Sequence, residues 1–469
     1  MSAPSHVLTM HTPPDFLAIE FVIVGGSISG LTTALGLARI GHRVTLVNEG
    51  GDMEVTALAG GCKVPFNNSK VYYRWGMGKQ LKEFSVASRH STFMSYETGQ
   101  NLLGAHLEKE MVEETGGEFL SMHYANLRKL LVHFARQNGA TIRSNAKVVE
   151  ITVRKERPFV RLISGEVIEG DVVIGADGTS GLSRAMIIGD KEHKEFLNRM
   201  MFNVVIEEAK MREDPDLVDL YEQAYHTVWV GADHGAMGFA IGENQYSLHL
   251  WAPGEPDSDA TISEVGRANL ERALVDCEPR LMKIAKAASV VICVPVVERP
   301  HLENWVHPDG PLLVIGEAAH PILPGSQYAM TLATGDGFVL SRLFRNLSRK
   351  DQIPVFLSAL QEIRQNRLNN VLKIASTNPF ALSMPPGVEE ALHQKQLSKD
   401  KADSLLTRAR EDKYTVMQEA MESIYGYDPE DDADTWWVQW GIIRERGPRR
   451  LSYSILVSES QREGSPESA

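Results

Sequence analysis

Glu20-Phe21-Val22-Ile23-Val24-Gly25-Gly26-Ser27-Ile28-Ser29-Gly30 decides the fold. A short apolar strand runs into a Gly-rich turn. Leu31-Thr32-Thr33-Ala34-Leu35-Gly36-Leu37-Ala38-Arg39 then reads as a helix, which Gly41-His42 ends, and Val44-Thr45-Leu46-Val47 is a second strand. Strand, turn, helix and strand in this frame make a βαβ dinucleotide-binding unit. Gly25 permits the tight turn, Gly30 lets the helix sit close to the strand, and the helix N-terminus faces a pyrophosphate. Two positions depart from the fingerprint. Ser27 stands where the middle glycine would be. The ribose-binding acid falls on Asn48, with Glu49 beside it. Neighbouring strand residues point to opposite faces, so the ribose meets Asn48 through its amide oxygen, or Glu49 if the chain twists there.

Two distant segments repeat the theme of a buried strand ending at an acidic turn. Asp171-Val172-Val173-Ile174-Gly175-Ala176-Asp177-Gly178 is followed by Thr179-Ser180-Gly181-Leu182-Ser183-Arg184. Leu312-Leu313-Val314-Ile315 runs into Gly316-Glu317-Ala318-Ala319-His320-Pro321-Ile322-Leu323-Pro324-Gly325, and a helix-like pattern begins near Tyr328. The Glu317 carboxylate can take a ligand hydroxyl, and the helix N-terminus offers N–H groups and a positive dipole end.

Composition narrows the class. A chain of 469 residues is too long for one small domain and suggests two or more lobes. The net charge of −13 and the lack of a dense Lys/Arg cluster argue against a nucleic-acid binder. Cys62, Cys277 and Cys293 form neither a CxxC pair nor a metal spacing, so a reducing compartment and no metal site are expected. Met1 to Pro14 lacks the basic start and apolar core of a signal peptide. No apolar run reaches membrane-spanning length. A cytoplasmic protein is expected, monomeric or homodimeric.

With its three anchors in this order, the chain resembles the single-component flavoprotein aromatic hydroxylases, the FAD-dependent monooxygenases that include 4-hydroxybenzoate and salicylate hydroxylases. The resemblance implies that Gly25, Ser27 and Gly30 hold the FAD pyrophosphate and that Asn48 or Glu49 holds the adenosine ribose. Asp177 and Gly178 match the family's Asp-Gly motif and Arg184 its terminal Arg, whereas Gly181 replaces its usual Ser. Glu317 takes the place of the Asp on the ribityl chain. Pro324, Gly325 and Gln327 match the turn beside the flavin's reactive carbon, where Ser326 and Tyr328 replace Gly. Gly61-Cys62-Lys63-Val64-Pro65-Phe66-Asn67 resembles the segment against the isoalloxazine ring. Asn67 matches there, and Lys63 replaces a Gln, either as a cation at the ring or as a solvated lysine. Tyr124 stands where the family usually carries Arg, so a cofactor contact is changed or absent.

The implied fold class is α/β: a Rossmann-like FAD-binding domain, an interleaved and mostly antiparallel β-sheet substrate domain, and a helical C-terminal region. The expected division is 20–195 for the first FAD-binding part with an inserted segment near 70–100, 196–300 for the sheet, and 301–346 for the second FAD-binding part. Residues 347–446 form the helical region and 447–469 a partly disordered tail. Strands are expected over Met201–Ile206, Thr227–Val230, Gly235–Ile241 and Tyr246–Trp251, and helices over 262–287, 325–346, 354–376 and about 388–424.

The resemblance implies that NADPH or NADH reduces FAD, that a flavin C4a-hydroperoxide forms with O₂, and that a small aromatic ring attacks it. The product is a hydroxylated phenol or benzoate, with or without loss of CO₂. Epoxidation or ring expansion of a related ring uses the same oxidant, and a nucleotide-binding protein without oxygenase activity is the rival from another class. Ser247, His249 and Trp251 share one face of their strand, opposite Tyr246, Leu248 and Leu250. If that face looks at the flavin, His249 is the base and Trp251 the ring-stacking wall. His226 and Trp229 are further candidate substrate contacts, and Tyr225 and His234 weaker ones. Pro324 and Gly325 shape the reactive turn, with backbone N–H groups near Gly325 to steady oxygen charge.

Overall fold

The computed structural model describes residues 13–51, 60–106, 109–189, 192–223, 226–231, 233–255, 262–375 and 421–441. A five-stranded sheet carries the first motif. Its order is Leu312–Val314, Val172–Gly175, Glu20–Val24, Arg43–Val47 and Thr141–Arg143, all parallel. The central strands are covered on both faces and so are almost entirely apolar, whereas Arg43 and Thr141 begin the outer strands in exposed positions. Phe21 and Ile23 join the helix-side core, whereas Val22, Val24 and Val173 join a second cluster. A three-stranded antiparallel sheet, Val148–Thr152, Phe159–Leu162 and Val167–Glu169, covers that second face through Ile151, Val160 and Leu162. On the helix side, Ile28–Arg39 packs closely on Gln327–Phe344, where a Cβ at Gly337 would meet Thr33.

A second, larger sheet has eight strands. Ser263–Glu264, Val290–Glu298, Glu195–Glu207, Gln245–Pro253, Gly235–Gly242 and His226–Val230 pair antiparallel, and His90–Ser95 then pairs parallel to His226–Val230. Asn101–His106 closes the far edge. The inserted segment is expected near 70–100, with the FAD-binding part resuming after it. Asn101–His106 lies instead in the large sheet, because it hairpins with His90–Ser95.

One face of this sheet buries Trp229, Leu248 and Leu250 against the helices Pro215–Glu222 and Pro279–Ala287. The other face carries Met201, Met237, Phe239 and Trp251. The strand Gly61–Val64 lies against this second face. Its alternation sends Cys62 and Val64 into the core of the parallel sheet and its helices, while a Cβ on Gly61 would meet Phe239 and Ser247.

The helix expected over 262–287 is two helices, Arg267–Ala273 and Pro279–Ala287. Asp276 adopts a positive φ of 50°, Pro279 sits in the first turn, and the Glu278 side chain caps the second helix from the Arg280 N–H. The helices expected over 325–346 and 354–376 appear as Gln327–Phe344 and Ile353–Ala375. Of the helix expected over about 388–424, all but the last residues lie outside the described residues, as does the tail. Pro429–Trp436 docks on the helix side of the parallel sheet, where Arg74 grips Asp428 at 2.7 Å and the Trp75 indole N–H reaches Glu430 at 3.1 Å. Among the described residues, no helix is long and apolar enough to cross a membrane.

Candidate active site

The nucleotide end is built mostly from backbone. Gly25 has φ 110°, and a Cβ there would run into the Ala176 carbonyl. Ser27 is used rather than tolerated. Its hydroxyl accepts from the Gly30 N–H at 3.2 Å, capping the helix, and donates to the Ala176 carbonyl at 3.0 Å. The Asn48 amide oxygen accepts from the Gly26 N–H at 3.1 Å, and its amide N–H donates to the Gly50 carbonyl at 2.8 Å. Glu49 is exposed and paired with Lys147 at 2.6 Å. Of these two neighbours, only Asn48 meets the turn.

Tyr124 and Glu317 lie close enough for the charge of one to act on the other. Burial pushes the Tyr124 hydroxyl up, the Glu317 charge adds to that, and a hydrogen bond with the Ile28 backbone opposes it. Glu317 is surface-accessible yet enclosed by protein, and that enclosure pushes its carboxyl up, against the pull of His320. The Glu317 side chain is therefore open to a ligand. Its carboxylate suits ligand hydroxyls, and the Gly-rich turn suits a diphosphate. The residues present therefore fit FAD.

The second anchor is a brace. Asp177 accepts from the Ser183 N–H at 3.0 Å and from the Ser183 hydroxyl. Gly181 replaces the usual Ser where a Cβ would strike the Asp177 carboxylate. Gly178 turns the chain at φ 81°. Arg184, expected at the cofactor, is fully buried and donates instead to the Ala318 carbonyl at 2.9 Å and the Pro300 carbonyl at 2.8 Å. It ties the second anchor to the third.

Asp336, which sequence reading passed over, holds the third anchor. It accepts from the Gly316 N–H at 2.8 Å, His320 Nε2 at 2.7 Å and Arg364 Nε at 2.9 Å. Burial alone would raise its pKa, but His320 and Arg364 hold it below the usual range. Its one sequence signal is a carboxylate inside an otherwise apolar helix.

The ring end gathers side chains from three segments. Lys63 points inward, not to solvent. Its Nζ donates to the Gly325 carbonyl at 3.1 Å and to Met237 Sδ at 3.4 Å, and lies 5.2 Å from the Phe239 ring centroid. Burial pushes its pKa down to about 7. Trp251 donates its indole N–H to the Pro324 carbonyl at 3.1 Å. A Cβ on Gly325 would enter the same indole. Ser326 caps the helix that follows from the Tyr328 N–H at 3.2 Å, and Tyr328 is buried.

His249 Nε2 lies 3.1 Å from the Gly61 carbonyl and must donate to it. Its Nδ1 is buried without a protein partner. Burial, with the Lys63 charge, pushes its pKa well down. His226 shares this face, with Nε2 2.8 Å from the Ser121 hydroxyl, and burial pushes it down to about 3. Trp229 is not brought here. It points to the opposite face and gives its indole N–H to Glu278 at 2.7 Å, because strand alternation sets it apart from His226. Asn67 is committed elsewhere, accepting from Thr331 at 2.7 Å and donating to the Ile424 carbonyl at 3.3 Å. His234 stacks on Tyr96 at 5.0 Å, and Tyr225 lies outside the described residues. Among the described residues, no group of three or more His, Cys, Asp or Glu could hold a metal ion.

Comparisons with known proteins identify the family. The family model described as an FAD binding domain matches residues 18–373. The FAD-dependent monooxygenase OpS4 of Beauveria bassiana is 25% identical over 429 residues, covering 89% of this chain and 97% of its own. The 3-amino-4-hydroxybenzoate 2-monooxygenase PtmB3 of Streptomyces platensis is 22% identical, covering 81% and 92%. Among solved structures, CtdE in complex with FAD and a substrate superposes with a TM-score of 0.73 at 21% identity, over 89% of this chain and 98% of that one. A salicylate hydroxylase substrate complex gives 0.68 at 17% identity, over 89% and 97%. At these identities the solved structures share the fold.

Proposed function

The chain belongs to the FAD-binding domain family, within the aromatic-hydroxylase type of FAD-dependent monooxygenases, and from that premise we propose that it hydroxylates a phenolic or benzoate-type aromatic ring with O₂ and NADPH or NADH. The observation that carries the substrate class is Lys63. A buried amine sits on a face walled by Phe239, Met237 and Trp251, directly under the Pro324–Gly325 turn. A buried ammonium is costly unless an anion answers it. An ionised phenol oxygen or a ring carboxylate is such an anion, and the aromatic walls suit the ring that bears it.

FAD would lie with its diphosphate on the Gly25–Gly30 turn, its ribityl hydroxyls on Glu317 and its ring near Pro324–Gly325. Bound there, it supplies the electron transfer and oxygen activation that side chains lack. The protein's own groups do the rest. His249, neutral and tied by Nε2–H to Gly61, keeps Nδ1 as an acceptor for a substrate hydroxyl proton. Lys63 in its ammonium form stabilises the oxygen charge that results. The apolar face of the large sheet excludes water. Asp177 and Arg184 act at one remove by fixing the turns. Three free thiols, two of them buried, suit a reducing cytoplasm.

The test is product analysis by mass spectrometry with isotopically labelled O₂ over a panel of phenols and benzoates. One labelled oxygen in the ring product, with NAD(P)H oxidation stimulated by substrate, is the expected result. Loss of CO₂ would appear as a product lighter by the carboxyl group. NAD(P)H oxidation that yields only hydrogen peroxide across the whole panel would overturn the proposal.

A further inference from the structure

A diphosphate brings two negative charges to the Gly25–Gly30 turn. Backbone N–H groups and the helix dipole answer only part of that charge. Arg128 is the cation that the structure brings to this turn. It sits one helical turn beyond Tyr124 in the helix Tyr124–Gln137 and is 7% exposed. Its Nε donates to the Gly26 carbonyl at 2.9 Å. A Cβ built on Gly26 would meet Arg128 Nη2 at 3.0 Å and the Asn48 amide oxygen at 2.8 Å. The guanidinium thus lies along the turn, in space that Gly26 leaves by having no side chain.

Tyr124 reaches the same turn from four residues earlier, with its hydroxyl bonded to the Ile28 backbone at the start of the helix. Positions four apart share a helix face. Tyr124 contributes no charge there, and Arg128 does.

We propose that Arg128 binds the FAD diphosphate and is the main cationic determinant of cofactor affinity in this protein. A guanidinium is always charged and presents a planar fork that matches phosphate oxygens. Asn48 and Arg128 converge on the Cβ position that Gly26 leaves open, so an amide and a guanidinium stand together at the turn.

The experiment uses the full chain stripped of flavin and titrated with FAD, then with riboflavin, which has no phosphate. Quenching of flavin fluorescence reads both affinities. Arg128→Ala is expected to weaken FAD about tenfold or more, the size of a charged hydrogen bond, while leaving riboflavin unchanged. It should also flatten the salt dependence of FAD affinity. Arg128→Gln keeps a donor for the Gly26 carbonyl but removes the charge, so it separates charge from folding and should show the same loss. Tyr124→Arg in the Arg128→Ala background should restore FAD affinity. FAD binding by Arg128→Gln within twofold of the parent, or equal loss of FAD and riboflavin, would overturn the proposal.

Discussion

Around Gly25–Gly30 the polar groups are backbone N–H groups, one amide and one guanidinium, set by a βαβ unit and the helix packed on it. Around Pro324–Gly325 they are the side chains of Lys63, His249 and Trp251, drawn from two strands nearly two hundred residues apart. The first end tolerates a serine for glycine, because a hydroxyl can rejoin the backbone network. The second has no such redundancy. Its geometry depends on the register of the large sheet, and on the strand Gly61–Val64 lying across it. A backbone site is specified locally, whereas a side-chain site is specified only once the whole sheet is paired.

Asp336 stands between the two ends, and breaking it should have the largest effect. Asp336→Ala would leave Arg364 and His320 buried without their carboxylate and release the Gly316 N–H. A loss of about 3–5 kcal/mol is expected in urea unfolding. Because the folded pKa of Asp336 is depressed, its contribution is present above the ordinary aspartate value of about 3.9 and fades as pH falls below it. The variant should lose that part of the acid sensitivity. A change under about 1 kcal/mol would show that the turn is held by other contacts.

The two tryptophans sharpen the comparison between the faces of the sheet. Trp229→Phe removes one donor from the buried Glu278 carboxylate, which keeps Arg280, and should cost about 1–2 kcal/mol while leaving KM for substrate unchanged. Trp251→Phe frees the Pro324 carbonyl at the cleft, and should lower the coupling of NAD(P)H oxidation to product with a smaller stability change. If Trp229→Phe shifts KM and spares stability, the assignment of faces is reversed.

Much of this was legible in the sequence where a pattern is local. The βαβ unit, the four strands of the large sheet and the face shared by Ser247, His249 and Trp251 follow from short-range alternation. Asp336, Arg128 and the inward aim of Lys63 were not legible, because each depends on what lies opposite after folding. Arg184 and Asn67 matched motifs, yet their polar atoms are occupied by carbonyls and a threonine brought in from elsewhere. The inserted strands near residue 100 carried no signal for their sheet, since parallel pairing to His226–Val230 has no local signature.

Lys63 offers a pH test of the ring end. Its ammonium is present below about 7 and lost above it. His226 is held near 3 and His249 well below its ordinary range, so neither changes charge in that window. The Cys62 thiol is pushed up to about 12 by burial. Benzoate, anionic throughout, should bind the FAD-loaded enzyme more weakly as pH rises, by up to about tenfold per unit once Lys63 deprotonates. A bound anion moves that fall to higher pH. Lys63→Met should bind weakly with no slope, read by perturbation of the flavin spectrum. Equal slopes in both proteins would remove Lys63 from the substrate site.

The smallest effect separates two adjacent residues. Asn48→Ala removes the acceptor of the Gly26 N–H and should weaken FAD several-fold, about the worth of one neutral hydrogen bond. Glu49→Ala breaks only an exposed pair with Lys147, worth about 0–1 kcal/mol, and should leave FAD affinity within about twofold. The fluorescence titration used for Arg128 measures both. Strand alternation allows only one of the two to face the nucleotide, so a larger loss from Glu49→Ala would mean that the chain twists at Asn48 when FAD binds, turning an exposed carboxylate toward the ribose.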